Sequence, residues 1–220
     1  MNNPDSFIDE VTEEVRRDRL FAIFRRYGWI GAVLVVAVVG GTAWVEWQAS
    51  RAQTQAEAFG DSVLDALDLG GAEERREALA SIPATGGQKA VIELLLASDP
   101  TEDRAATLAA LDRLIADQTQ PQGLRDLATL RKVIVAGKDM APADRQMALD
   151  GIAQPGRPFR TLAQEQLAYL MIETGDTQGA ITALTALTVD QESSPALRSR
   201  AAQVITALGG DAGDAAQDAG

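Results

Sequence analysis

The chain of 220 residues contains no cysteine and no histidine. Without cysteine there is no disulfide framework, and the redox compartment cannot be inferred from thiols. Without histidine the chain lacks the commonest general acid and base at neutral pH. Zinc sites built without either residue are rare, so the composition disfavours zinc enzymes and histidine-based catalysis.

Aromatic residues are also scarce, at 5% of the chain. Those that follow Trp47 are Phe59, Phe159 and Tyr169, too few for a carbohydrate-binding cleft. No Ser-x-x-Lys motif supplies a lysine base for a serine nucleophile, and the glycine pairs lack the spacing of a phosphate-binding loop.

Two pairs of carboxylates are candidates for acid–base chemistry, Glu173 with Asp176 and Asp112 with Asp117. Both pairs lie near predicted helix ends, where acidic residues usually act as caps. We therefore predict that the chain is not an enzyme and that it has no catalytic residue, cofactor, metal site or small-molecule substrate.

Acidic residues outnumber basic ones by 32 to 20, which gives a net charge of −12 at pH 7. A nucleic-acid-binding surface needs the opposite sign, because it must neutralise phosphates. The expected partners are a membrane and other proteins, and not nucleic acid.

The main apolar run, GWIGAVLVVAVVGGTAWV, extends from Gly28 to Val45 without a charge or a proline. As a helix it is roughly 27 Å long, close to the hydrocarbon thickness of a bilayer. A core helix of a soluble protein would show polar positions at a period of about 3.6 residues. A cleaved signal peptide would have a shorter apolar region and a short basic start, whereas the preceding segment here is long and acidic. The sequence predicts a transmembrane helix over residues 28–47.

Basic and aromatic residues flank this run, as they do at membrane interfaces. The predicted interface anchors are Arg25, Arg26, Tyr27, Trp29, Trp44 and Trp47. Five arginines precede the run between positions 16 and 26, whereas Arg51 alone lies close after it. The positive-inside rule then places the N-terminus in the cytoplasm and the C-terminal domain across the bacterial inner membrane, in the periplasm.

The two ends of the chain have distinct compositions. Residues 1–27 predict a cytoplasmic amphipathic helix with acids in its first half and arginines in its second. This helix suits contact with anionic lipid or docking of a protein, and the sequence leaves both open. Residues 209–220, GGDAGDAAQDAG, predict a disordered acidic tail, since no hydrophobic side chain there exceeds alanine in size.

Residues 48–208 predict a wholly helical domain, because apolar residues recur with helical period and no alternating β-branched run appears. The predicted helix starts are Pro100, Pro121, Pro142, Pro158, Asp176 and Pro195. Alternate starts are 34 to 42 residues apart, and TPR units repeat at about 34 residues. The best match to a TPR hairpin is Leu167–Leu187, with Gly175-Asp176 at its turn. We predict an all-α chain with one N-terminal transmembrane helix followed by a TPR-like helical-repeat (α-solenoid) domain. An irregular helix bundle is the alternative.

Three stretches, SFIDEVTEEVRRDRL, FRRYGWI and WVEWQ, carry a family resemblance. With the helical domain that follows, they resemble the ancillary Sec-translocon subunits, single-pass inner-membrane proteins with TPR-like periplasmic domains. The resemblance implies association with the SecYEG channel, links to periplasmic chaperones, and a role in handling exported chains. It implies no catalytic residue. A cell-envelope or cell-division adaptor that uses the same helical-repeat surface is the alternative function.

Overall fold

The structure is a computed structural model that describes the backbone of residues 4–211 and the side chains of residues 29, 30 and 33–211. In this described part the chain forms helices and no strand, which confirms the all-α prediction. The α-helices are α1 (Pro4–Leu67), α2 (Ala72–Ser81), α3 (Gly87–Leu96), α4 (Arg104–Ala116), α5 (Gln122–Ala136), α6 (Pro142–Ile152), α7 (Arg160–Glu173), α8 (Thr177–Val189) and α9 (Pro195–Ala207). A 3-10 turn, Gly137–Asp139, separates α5 from α6.

The chain divides between Asp61 and Ser62 into two compact units. The first unit consists of most of α1, whose large apolar side chains between positions 33 and 45 are each more than half exposed. One helical stretch of the described residues, Val33–Leu67, is long and apolar enough to cross a membrane, and none of its most apolar window is buried. The side chains of 1–28 lie outside the described residues, as do residues 212–220 of the predicted tail.

Three predicted helix starts in the second unit are confirmed, two of them by a capping side chain. The Asp176 carboxylate accepts a hydrogen bond from the Gly179 amide at the start of α8, at 2.9 Å. The Ser194 hydroxyl accepts one from the Leu197 amide at the start of α9. Pro142 is the first residue of α6, a position whose backbone N–H makes no hydrogen bond within the helix, so proline loses none there.

The predicted start at Pro100 is wrong. Asp99 closes a local turn by accepting hydrogen bonds from Thr101 and from the Glu102 amide. The helix begins only at Arg104, after a second acidic residue, Asp103, which accepts from the Ala106 amide at 2.9 Å. Two capping acids four positions apart competed for one helix end, and the first of them forms an Asx turn instead.

One other start was displaced and two were missed. Pro158 precedes the N-cap of α7, which is Phe159. The starts of α2 and α3 carry no sequence signal, because their N-caps are Gly71 and Gly86, which have no capping side chain.

Three hydrophobic clusters form the core of the second unit, and each is built from three consecutive helices. They join α3, α4 and α5, then α5, α6 and α7, then α7, α8 and α9. Their buried residues are Ala90, Ala97, Ala110, Leu111, Leu114 and Ala128; Leu130, Val133, Leu149, Ile152 and Ala163; and Ala168, Leu184, Leu187, Leu197, Ala201 and Ile205. Because α5 and α7 each contribute to two clusters, the core continues from α3 to α9.

The predicted hairpin at Leu167–Leu187 forms between α7 and α8. Gly175, at φ +88°, ends α7, and the Asp176 amide donates to the Met171 carbonyl at 2.9 Å, as in a Schellman cap. Ala168 on α7 and Ala180 on α8 are fully buried, so small side chains occupy the core positions that the sequence indicated.

Candidate functional site

The predicted interface anchors with described side chains are Trp29, Trp44 and Trp47, all exposed on α1. Trp44 and Trp47 lie one helical turn apart, with ring centroids separated by 5.2 Å and ring planes tilted by 43°. This spacing falls within the range of favourable aromatic pairs. The other predicted anchors lie outside the described side chains: Arg25, Arg26 and Tyr27.

Arg51 extends this aromatic pair. Its guanidinium carbon lies 3.8 Å from the centre of the Trp47 ring, within the range of a cation–π interaction. The sequence indicated Arg51 only as the basic residue after the apolar run. The structure adds that Trp44, Trp47 and Arg51 form one contact series along α1, an arrangement suited to a membrane–water interface.

The second unit contains a cavity of about 160 Å³ between α5, α6 and α7. Its lining residues are Val133, Ile134, Gly137, Arg145, Leu149, Gln166, Tyr169, Leu170 and Glu173. The lining includes four aliphatic side chains and four polar ones. Sequence reasoning missed this cavity, since its lining comes from three helices and has no local motif. We treat it as the candidate site.

An ion pair holds one side of the cavity. Arg145, on α6, is 7% exposed, and its two terminal nitrogens donate to the two oxygens of Glu173 at 2.8 and 2.7 Å. The hydrogen bonds from Arg145 lower the pKa of Glu173, burial opposes this shift, and the positive charges of Arg145 and Lys138 add to it. The same hydrogen bonds raise the pKa of Arg145. The pair therefore stays ionised and fixes α6 against the end of α7.

A second polar group positions Tyr169 at the cavity. The Tyr169 hydroxyl donates to Glu165 at 2.9 Å, and Arg200, on α9, donates to both oxygens of that carboxylate. Glu165 is 2% exposed. Burial raises the pKa of Tyr169, and the hydrogen bond to Glu165 raises it further. Tyr169 therefore stays protonated near neutral pH and is held in place by its bond to Glu165.

Exposure differs among the residues of the lining. The Nε of Arg145 is buried and makes no hydrogen bond within the described residues. Gln166 is half-buried and lines the cavity. Ile134, also in the lining, is 54% exposed. The lining thus combines buried polar atoms with partly exposed polar and aliphatic side chains.

The carboxylates of the two pairs that the sequence singled out each have other partners. Glu173 pairs with Arg145, while Asp176 caps α8. Asp112 pairs with Lys132 at 2.5 Å. Asp117 accepts from the Thr119 hydroxyl and amide and from the Gln120 side chain, and these bonds lower its pKa. Each of these acids stabilises a helix end or links two helices.

The described residues include no group of three or more histidine, cysteine, aspartate or glutamate side chains that could hold a metal ion. The polar side chains that line the cavity are Arg145, Gln166, Tyr169 and Glu173.

Comparison with known proteins gives one informative match. No family model matches the chain, and no solved structure matches it. The chain is similar to a deoxyhypusine hydroxylase of Neurospora crassa, at 31% identity over 105 residues. The match includes 48% of this chain and 32% of that protein, so it spans about a third of the relative's length.

This match corrects one prediction from the sequence. We expected that the chain is not an enzyme, because histidine and recognisable catalytic motifs are absent. The similar protein is named for an enzymatic activity, so that prediction is wrong. The absence of familiar motifs was too weak a criterion, since a catalytic constellation can be assembled from residues that are distant in sequence.

Proposed function

We propose that the chain is a membrane-anchored scaffold of the bacterial inner membrane that associates with the Sec translocon. Its helical domain lies in the periplasm and links exported chains to periplasmic chaperones. One observation carries the proposal: a single chain combines an exposed, membrane-competent helix, Val33–Leu67, with a separate unit built from eight further α-helices in the described residues. An anchored helical unit of this kind suits protein binding at a membrane surface.

We further propose that the helical unit is a TPR-like solenoid. Each core cluster uses three consecutive helices, the packing expected when helix pairs stack. The helix starts repeat at 38 residues from Arg104 to Pro142 and at 35 residues from Pro142 to Thr177. TPR units repeat at about 34 residues.

Polar contacts between alternate helices support the same proposal. Arg131 on α5 donates to the Ala97 carbonyl at the end of α3, at 2.7 Å. Arg200 on α9 donates to Glu165 on α7. These contacts tie α3 to α5 and α7 to α9, as expected between equivalent helices of successive pairs.

The exposed series Trp44, Trp47 and Arg51 supports the membrane placement. Indole rings prefer the headgroup region, and a guanidinium on an indole face can reach lipid phosphates. We place this series at the periplasmic side of the membrane.

The test is photo-crosslinking in native bacterial membranes. A photoreactive residue at Met147, which is 74% exposed, reports on neighbours of the helical unit. A second one at Val36, which is 71% exposed, reports on neighbours of α1. Recovery of SecYEG subunits at either position supports the proposal. Recovery of division or cell-wall proteins in their place establishes the adaptor function instead.

The match to a deoxyhypusine hydroxylase favours a second candidate function, an enzymatic one. Under this proposal the helical unit carries a hydroxylase activity on a deoxyhypusine-containing substrate. Incubating the purified chain with such a substrate, dioxygen and an added two-electron reductant tests it, because one oxygen atom enters the C–H bond of the substrate and the other leaves as water. The measurement is the mass gain of one oxygen. Hydroxylated product that depends on the chain establishes the activity, and its absence rejects this candidate.

A further inference from the structure

We propose that Trp44, Trp47 and Arg51 bind the phosphate group of an anionic phospholipid in the periplasmic leaflet. This inference rests on the membrane placement of α1 under the proposed function, and it names the lipid chemistry that the anchor recognises. The geometry that carries it is an arginine stacked on an exposed indole, directly after the membrane-competent apolar run.

The Arg51 guanidinium differs from the other arginine side chains that the structure describes. It contacts the Trp47 ring, and within the described residues it makes no hydrogen bond and no ion pair. The other arginines with described side chains each donate to an acid, a side-chain amide or a backbone carbonyl: Arg75, Arg76, Arg104, Arg113, Arg125, Arg131, Arg145, Arg157, Arg160, Arg198 and Arg200. The planar N–H donors of Arg51 are therefore available to a phosphate group.

No carboxylate on the same face of α1 competes for Arg51. The positions three or four residues away, which neighbour it on the helix surface, are Trp47, Gln48, Thr54 and Gln55. The acids that come next along the chain, Glu46 and Glu57, each lie about a third of a turn or more around the helix from Arg51. Glu57 accepts a hydrogen bond from Gln53 instead, at 2.9 Å. The face of Arg51 thus suits an anion from outside the chain.

The direction of α1 brings the guanidinium to the level of the lipid phosphates. Side chains of a helix lean toward its N-terminus, and the contact of Arg51 with Trp47, one turn earlier, has this direction. The lean is toward the apolar run. Trp44 and Trp47 are both exposed, and indole rings settle in the headgroup region. A cation stacked on such a ring lies beside the phosphates, as long basic side chains near the ends of membrane helices do.

Two observations identify an anionic lipid as the occupant. The site is continuous with the exposed apolar side chains between positions 33 and 45, so the molecules that surround the run also surround the site. Arg51 is the one basic residue between positions 46 and 61 of a chain whose net charge is −12. A zwitterionic lipid carries its own cation beside the phosphate, which competes with Arg51, whereas phosphatidylglycerol carries none. Basic residues near a membrane surface are attracted to such anionic lipids.

The test measures which lipid contacts the two indoles of the full chain. The chain has three tryptophans, so in a Trp29→Phe background the tryptophan emission comes from Trp44 and Trp47. Nanodiscs contain phosphatidylglycerol and phosphatidylcholine in equal amounts, and one of the two lipids is brominated near the top of its acyl chains. Bromine quenches an indole on contact. We expect quenching constants about five-fold larger when phosphatidylglycerol is the brominated lipid.

Three variants, each in the Trp29→Phe background, assign this selectivity to the site. Arg51→Gln removes the charge and should bring the ratio of the two quenching constants to about one. Arg51→Lys keeps the charge without the planar stacked group, so it should retain only part of the selectivity. The control Lys89→Gln removes the same unit of charge from α3, where Lys89 pairs with Asp117, and should leave the ratio unchanged. An unchanged far-UV spectrum in each variant shows that the helices are intact.

The outcomes distinguish this inference from the proposed function. Equal quenching by the two lipids overturns the inference and leaves the membrane placement standing, whether or not crosslinking recovers SecYEG subunits. Selectivity that persists in Arg51→Gln also overturns it, because another group is then responsible. Loss of selectivity on addition of inorganic phosphate at constant ionic strength assigns the site to free phosphate and overturns the lipid. Absence of quenching by either lipid overturns the inference together with the membrane placement.

Discussion

Arg200 on α9 donates to both oxygens of Glu165 on α7, at 2.9 and 2.7 Å, although α8 lies between these helices in the chain. The carboxylate is 2% exposed and accepts a third hydrogen bond, from the Tyr169 hydroxyl. The Arg200 side chain is 48% exposed. A buried acid is therefore satisfied by a partner that reaches in from the surface of another helix.

Replacing this surface partner should destabilise the helical unit. Arg200→Met leaves the Glu165 carboxylate buried without its ionic partner, and we expect a loss of about 3 kcal/mol in the free energy of unfolding. Chemical denaturation followed by far-UV circular dichroism measures it. Glu192→Gln removes a carboxylate that is 63% exposed and should cost less than about 1 kcal/mol. Equal losses of unfolding free energy in Arg200→Met and Glu192→Gln would contradict the argument that burial of the Glu165 carboxylate makes its ion pair important.

Glu173 should contribute to acid destabilisation of the unit. Its pKa in the folded state is lowered from the ordinary value of 4.5, chiefly by hydrogen bonds from Arg145. A lowered folded-state pKa gives stability that is present above pH 4.5 and is lost as the pH falls through the folded value. In Glu173→Gln the fall in Tm between about pH 5 and pH 3 should be smaller than in the unmodified chain.

A second variant, Arg145→Gln, removes the hydrogen bonds that lower the pKa of Glu173. It should therefore also reduce the fall in Tm at low pH. Both variants lose stability at neutral pH, so the slope of Tm against pH is the informative quantity. An unchanged slope in Glu173→Gln would show that this pair does not contribute.

Gly175 should resist substitution because of its backbone conformation. It adopts φ +88°, a backbone conformation that residues with a Cβ rarely adopt. An added Cβ would meet nothing within 4 Å, so a substitution would lower stability through backbone strain and not through crowding by neighbours. Gly175→Ala should lower stability by about 1 kcal/mol. Gly151→Ala, in α6 and also in open space, should leave stability unchanged or raise it by up to about 1 kcal/mol. Thermal melts measure the stability of both variants. A higher Tm for Gly175→Ala than for Gly151→Ala would refute the argument from backbone conformation.

The orientation of the anchor can be tested with reporters fused after Gly220. The five arginines before the apolar run predict a cytoplasmic N-terminus, so a C-terminal alkaline phosphatase should be active. A fluorescent protein that folds only in the cytoplasm should stay dark at the same position. As a matched control, moving arginines from before the run to positions after Arg51 should reduce phosphatase activity. A bright cytoplasmic reporter on the unmodified chain would reverse the proposed topology.

The features that the sequence predicted are those whose cause is local. The apolar run is visible because a membrane-competent helix needs only consecutive apolar residues. The caps of α8 and α9 are visible because Asp176 and Ser194 bond to amides three residues away. Where two local signals competed, as with Asp99 and Asp103, no local pattern distinguished them, and the predicted start of α4 was wrong.

The sequence by itself thus determined the helical class, the membrane-competent segment and several helix starts, since each depends on neighbours within one or two turns. Tertiary structure alone decided that Glu173 pairs with Arg145, 28 residues away, and that Glu165 pairs with Arg200, 35 residues away. It also placed Val133, Leu149 and Gln166 around one cavity. These contacts depend on which helices pack together and in what register, and core packing sets both through side chains that have no local pattern in common.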